Sequence, residues 1–261
     1  MWRNIGEVSA MRLGALLGPA NPSDPGSLAN QARLLEQEGY ASLWSAQAMG
    51  RGFMLTDPFI TLAIAAAVTK KVELGTAILQ MPLYDPVDIA LKSFSLMQAS
   101  GNRLLLGVGA GSTEVDFQLH EKVFETRFGK FNEDLKTLRQ WFTAGEIDGK
   151  SISPWKEVRG GPPLVYGTWG KGVVRAAKEF DAWIASGMYR SVEELTETIK
   201  DYRAAGGKRA IVSTIVLNAE TDLGELDERL ARYSEAGFDD ALVMFSHGGP
   251  APSDVRKLVM T

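Results

Sequence analysis

Short apolar runs alternate along the whole chain with longer stretches of helical period. Residues 11–17, 42–45, 72–79, 103–108, 164–166, 182–185, 211–217 and 241–245 are largely apolar or β-branched. They are too short for helices and read as strands buried on both faces. Between them apolar residues recur every three or four positions: Leu28, Ala32 and Leu35; Phe59, Leu62 and Ala66; Ile89, Phe94 and Met97; Phe131, Leu135, Leu138 and Phe142; Leu223, Leu226, Leu230 and Tyr233. Each set marks one face of a helix. Asp24-Pro25, Asp57-Pro58 and Asp85-Pro86 pair an N-cap acceptor with proline at the first helical position. The run from Ser191 to Glu194 is a capping box. Gly39, Gly101, Gly145, Gly206 and Gly237 stand where helices should stop. Residues 173–180 and 253–259 read as further helices, 114–119 as a short helix inside a long loop, and 146–162 as a loop or hairpin insertion.

Strand and helix thus alternate through the 261 residues without a long linker. That pattern predicts a single-domain α/β protein over residues 1–261, a (β/α)8 TIM barrel, with residues 1–10 as an irregular tail. A doubly wound open sheet has the same alternation, and periodicity does not distinguish closure.

Composition removes several kinds of chemistry. There is no cysteine, so there are no disulfides, thiol nucleophiles or cysteine-ligated metals. His120 and His247 are the only histidines, too few for a histidine-rich metal site. A net charge of -4 gives no electrostatic case for nucleic acid or for an anionic membrane surface. No apolar run approaches the ~20 residues of a membrane helix, and the run at 11–17 is too short for a signal peptide. The expectation is a cytoplasmic protein.

In a parallel barrel the carboxyl ends of the strands carry the chemistry. Here they present no paired carboxylates and no nucleophile with an adjacent base, which favours a cofactor. Gly167, Thr168, Trp169, Gly170, Lys171 and Gly172 lie between a strand and a helix. Such a turn offers free N–H groups, a hydroxyl and a charge to a phosphate, though it also reads as a plain flexible connection. Gly109, Ala110, Gly111 and Ser112 form a tight turn that would let a flat ring or a polyol chain approach the backbone. Met49, Phe53, Met54 and Met81 could line an apolar pocket. Gln47 and His247 are the candidate catalytic side chains, although a histidine placed like His247 is more often a solvated loop residue.

The block from Leu74 to Val87, LGTAILQMPLYDPV, followed by a helix and GNRLLLGVGAGS, resembles the bacterial luciferase-like flavin-dependent monooxygenase superfamily. This superfamily also contains oxidoreductases that use a deazaflavin coenzyme. The resemblance implies an FMN-type monooxygenase acting on a small organic substrate, supplied with reduced flavin by a separate reductase. It also allows a deazaflavin-dependent hydride-transfer enzyme or a flavin-binding protein without turnover. It implies a non-prolyl cis peptide at Ala77-Ile78, a cofactor ring over Ala77, Ile78 and Leu79, a chain passing Gly109 to Ser112, and a phosphate at the Gly167 to Gly172 turn. A homodimer through the apolar helix at 59–68 follows from the same resemblance. The chain departs from the family where Trp44 is followed by Gln47 and Ala48. Many members carry an acidic residue and then histidine at these two positions, and Ala110 replaces an arginine near the flavin phosphate. Both changes argue against the luminescent reaction, and Gln47 would instead hydrogen-bond a ring or substrate.

Overall fold

The computed structural model describes residues 11–18, 21, 23–50 and 52–259. The expected tail at 1–10 lies outside the described residues.

In chain order the elements are β1 (Arg12–Leu16), α1 (Ser27–Gln37), β2 (Ser42–Ser45), α2 (Pro58–Val68), β3 (Glu73–Thr76), β4 (Leu79–Gln80), α3 (Pro86–Ser100), β5 (Leu104–Gly109), α4 (Glu114–Leu119), α5 (Arg127–Ala144), β6 (Glu146–Ile147), β7 (Lys150–Ser151), β8 (Leu164–Gly167), α6 (Gly172–Glu179), β9 (Ala182–Ser186), α7 (Val192–Ala204), β10 (Ala210–Leu217), α8 (Leu223–Ala236), β11 (Asp240–Phe245) and α9 (Pro252–Lys257). Strands pair in the order β3-β2-β1-β11-β10-β9-β8-β5, and β5 returns to β3. All these pairings are parallel. The sheet is therefore closed, a (β/α)8 barrel, and the open-sheet alternative is excluded. β6 and β7 form a separate antiparallel hairpin.

Helix starts follow local chemistry. Asp57 and Asp85 cap α2 and α3 with proline next in line, and the Ser191 capping box is complete. Gly101, Gly145 and Gly237 close their helices in the left-handed conformation. Asp24-Pro25 is a correction. Its carboxylate accepts the Gly26 N–H at 3.0 Å, which makes a turn, and α1 begins only at Ser27. The run expected as one strand at 72–79 is likewise broken into β3 and β4 by a cis Ala77-Ile78 peptide.

Two cores result. The larger lies between barrel and helices. The smaller fills the barrel itself with Leu16, Trp44, Leu105, Val165, Ala182, Ile184, Ile211 and Leu242. At the amino ends of the strands, Arg12 and Arg209 pair with Asp240 and Glu73, closing the barrel floor with charge. Close backbone approach is built in at Gly75, where a Cβ would stand 2.2 Å from the Trp44 ring, so Trp44 can plug the centre.

On the outside, α2 buries Phe59, Leu62, Ala65 and Ala66 against the barrel, while Ile60 remains 56% exposed. Leu91 on the neighbouring α3 is 55% exposed.

Candidate active site

Above the apolar plug, at the carboxyl ends of the strands, the inward positions become small. Alternation along each strand places Ala46, Ala77, Gly109, Gly167, Ser186 and Ser213 in this layer, with Ala46, Ala77, Ile78 and Met244 packed on the barrel interior. The result is a shallow bowl floored by Trp44 and its neighbours. Ile78 forms one wall. A Cβ at Gly109 would meet its Cδ1 at 2.9 Å, and a Cβ at Gly167 would meet its Cγ2 at 2.6 Å. Both glycines therefore leave room for Ile78 to lie across them.

The break between β3 and β4 puts Ala77 and Ile78 on the same, inner side. It thereby slips the alternation by one residue. Leu79 consequently turns outward, and its side chain is fully buried in the outer core. Ala110 also points into the outer core, Gly111 has φ +85°, and Ser112 is exposed.

Polar groups sit beside this wall. Gln47 Oε1 accepts the Gln80 N–H at 2.9 Å, and Gln47 Nε2 donates to the Tyr84 hydroxyl at 3.0 Å. Burial, with a smaller contribution from the Asp57 charge, pushes the Tyr84 hydroxyl up to about 12, so it stays neutral at ordinary pH. Gln80 Nε2 donates to Asp116 of α4. Gln80 Oε1 is buried beside Gly111 with no hydrogen-bond partner among the described residues. His120 is half-buried at the end of α4, its ring 6.3 Å from that of Tyr84. His247 is exposed. The sequence pointed to Gln47 through its position after β2. It carried no signal for Tyr84 or Asp116, because a tyrosine before a helix and an acid on a short helix look like surface residues.

The Gly167 to Gly172 turn occupies the neighbouring rim, since β5 and β8 pair with Val108 opposite Tyr166. Gly170 has φ +58° and nothing within 4 Å of where its Cβ would be, so its backbone is open to approach. The Thr168 hydroxyl lies over Gly172, 2.0 Å from an ideal Cβ there. Lys171 is exposed, and no side chain caps the start of α6. Trp169 is half-buried against Trp183, with the Arg190 guanidinium 4.5 Å above its ring. Sequence reading did not find Arg190, because it belongs to the following strand–helix connection.

Met49, Phe53, Met54 and Met81 do not converge. Met81 is fully buried in the outer core, whereas Phe53 and Met54 are exposed. A depression of about 380 Å³ bounded by α5 and Arg175 lies on the helical outer surface, away from the rim. Among the described residues no group of three His, Asp or Glu side chains is placed to hold a metal ion. No described helix is long and apolar enough to cross a membrane.

In (β/α)8 barrel enzymes the active site is built at this carboxyl rim. The chain is a member of the luciferase-like monooxygenase family, which it matches over residues 8–217. Members of this family are oxidoreductases. Over 116 residues it is 36% identical to the 4-hydroxyprotoasukamycin monooxygenase of Streptomyces nodosus subsp. asukaensis, a match covering 42% of this chain and 31% of that one. The crystal structure of monooxygenase RslO1 from Streptomyces bottropensis has a TM-score of 0.75 at 19% identity, covering 95% of this chain and 96% of that one. An F420-dependent secondary alcohol dehydrogenase in complex with an F420-acetone adduct also has a TM-score of 0.75, at 17% identity, covering 96% and 98%.

Proposed function

We propose that the chain binds a flavin-type cofactor at the barrel rim, FMN by preference, and oxygenates a small organic substrate. The observation that carries this reading is the juxtaposition of the bare bowl with the uncapped glycine turn on adjacent strands. Ala77 and Ile78 supply a flat apolar wall for a ring. A polyol chain would pass along Gly109 and Gly111, where its hydroxyls would give Gln80 Oε1 the donor it lacks. Thr168, Lys171 and the N–H groups at the start of α6 suit a phosphate. When bound, a reduced flavin supplies the electrons that activate oxygen. The protein positions the ring, excludes water and orients the substrate. A separate reductase would deliver the reduced flavin.

The second reading is hydride transfer with a deazaflavin coenzyme. It is favoured by Gln47, which stands where many family members have an acid, and by the likeness to the F420-dependent alcohol dehydrogenase over nearly the whole chain. Mass analysis of the cofactor taken up, and oxygen consumption by the reduced protein with candidate substrates, separate the two. Cofactor uptake without any turnover would leave a flavin carrier.

FMN titration of the purified protein, followed by flavin fluorescence, tests the placement. Replacing both Gly170 and Gly172 by valine should weaken binding by at least about a hundredfold while the circular dichroism spectrum is retained. This estimate takes each blocked backbone contact to an ionised phosphate as worth about 1.5–3 kcal/mol. Lys171→Ala should cost only about 1 kcal/mol, because the lysine is solvated. Wild-type affinity in the double glycine variant would refute the assignment of this turn.

A second copy of the chain is the partner proposed for the exposed apolar residues Ile60 and Leu91. Light scattering at micromolar concentration should give a dimer mass that drops to the monomer in Ile60→Asp. A monomeric wild-type protein would refute it.

A further inference from the structure

The bowl has two different sides. Ala46, Ala77 and Ile78 make one side apolar. Facing positions on β9 and β10 carry hydroxyls. Ser186 and Ser213 are register partners, and the strand is irregular immediately after them. The pairing of β10 with β11 slips between Val212 and Ile215, and Thr214 has φ +59°. A β-branched residue rarely adopts such a conformation, and strain of this kind collects at functional positions. The irregularity has a specific result. Adjacent residues of a regular strand point to opposite faces, yet Ser213 Oγ and Thr214 Oγ1 are 3.3 Å apart. The bulge has turned both hydroxyls to the same side.

Proton counting then assigns their polarity. Ser213 donates its single proton to the Ala185 carbonyl at 3.2 Å. Either hydroxyl of the Ser213–Thr214 pair can donate; with the Ser213 proton on the Ala185 carbonyl, Thr214 donates to Ser213 and its Oγ1 keeps acceptor capacity. Ser186 Oγ accepts the Met188 N–H at 3.3 Å, and its own proton is donated to no group among the described residues. The bowl thus presents one acceptor and one donor on neighbouring strands. A substrate hydroxyl matches either group, donating to Thr214 or accepting from Ser186. A carbonyl satisfies only the Ser186 donor, and a carboxylate would set a lone-pair-bearing oxygen against the Thr214 acceptor.

We propose that Thr214 and Ser186 are substrate-positioning residues that select a neutral, hydroxyl-bearing substrate and turn its carbinol carbon toward the apolar wall. This rests on the reading that the bowl holds a flavin-type cofactor, and the experiment separates the two. The full chain is first loaded with FMN or the deazaflavin coenzyme, whichever it takes up. It is then titrated with cyclohexanol, cyclohexanone, methylcyclohexane and cyclohexanecarboxylate, following the visible absorbance band of the bound cofactor. Cyclohexanol should perturb the band at a concentration at least tenfold lower than methylcyclohexane, with cyclohexanone between them and the carboxylate weakest. Thr214→Val and Ser186→Ala should each cut the preference for the alcohol at least fivefold while leaving cofactor affinity within twofold. Thr214→Gly should lose the preference without a fall in melting temperature, because glycine relieves the left-handed backbone; a merely structural threonine would not behave so. Equal responses to alcohol and hydrocarbon, a best response to the carboxylate, no response to any probe, or an intact preference in Thr214→Val would overturn the proposal while leaving cofactor binding standing. Failure to take up either cofactor would remove the parent reading and this one together.

Discussion

Asp240→Ala should lower the unfolding free energy by about 3–5 kcal/mol, the range for breaking a buried charge pair from one side. Asp240 is completely buried at the barrel floor, where it receives Arg12 at 2.6 Å and Arg209 at 2.8 Å. Burial raises its carboxyl above the ordinary value, against the lowering pull of the Arg209 and Arg12 guanidiniums. Burial also works against the charge on Arg209, and the pull of Asp240 and then Glu73 outweighs it. Removing Asp240 leaves Arg209 buried with the partly exposed Glu73 as its only ionic partner among the described residues. Urea unfolding of the wild type and the variant measures the loss. Glu73→Gln should cost less than about 1 kcal/mol, because its side chain is partly solvated and Asp240 still satisfies Arg209. Equal effects for the two substitutions would mean that the floor is not organised around Asp240.

Gly107→Ala should be the most damaging single-methyl change at the rim. A Cβ there would lie 1.8 Å from the Thr76 carbonyl oxygen and 3.0 Å from its carbon. Both are backbone atoms of the strand that β5 must pair with, and Thr76 Oγ1 donates to the Gly107 carbonyl at 2.7 Å. No side-chain rotation relieves this contact, so β3 and β5 must separate. The expected loss is about 3 kcal/mol, at the upper end for overpacking. Flavin affinity should fall with it, since the separation displaces Ala77 and Ile78. Gly109→Ala is the informative contrast. Its Cβ would meet the flexible end of Ile78 at 2.9 Å and the Gly167 carbonyl oxygen at 3.1 Å, far less severe than the 1.8 Å contact at Gly107, so the fold should survive with a loss near 1 kcal/mol. Ile78 would be pushed into the bowl, and FMN binding should weaken. Thermal unfolding and FMN titration of both variants test the pair. A Gly107→Ala protein as stable as the wild type would show that Thr76 and Gly107 do not approach as described.

The sequence by itself determined the elements and most of their limits. Apolar period, aspartate caps and glycine stops act within a few residues, so α2, α3, α7 and β2 are legible without tertiary information. Family resemblance in the block from Leu74 to Ser112 also located the cis Ala77-Ile78 bond. Only the tertiary structure decided how these parts meet. Asp24 could cap a helix or bend a turn, and the geometry around Gly26 selected the turn. Leu79 belongs to an apolar run that faces either way, and the slip at Ala77 and Ile78 sent it outward. The floor joins Arg209 to Glu73 across 136 positions, and the rim joins Gln47 to Tyr84 across 37. No local pattern encodes such pairs. Closure of the sheet brings them together, because an ion or a hydroxyl inside a barrel must find its partner on another strand.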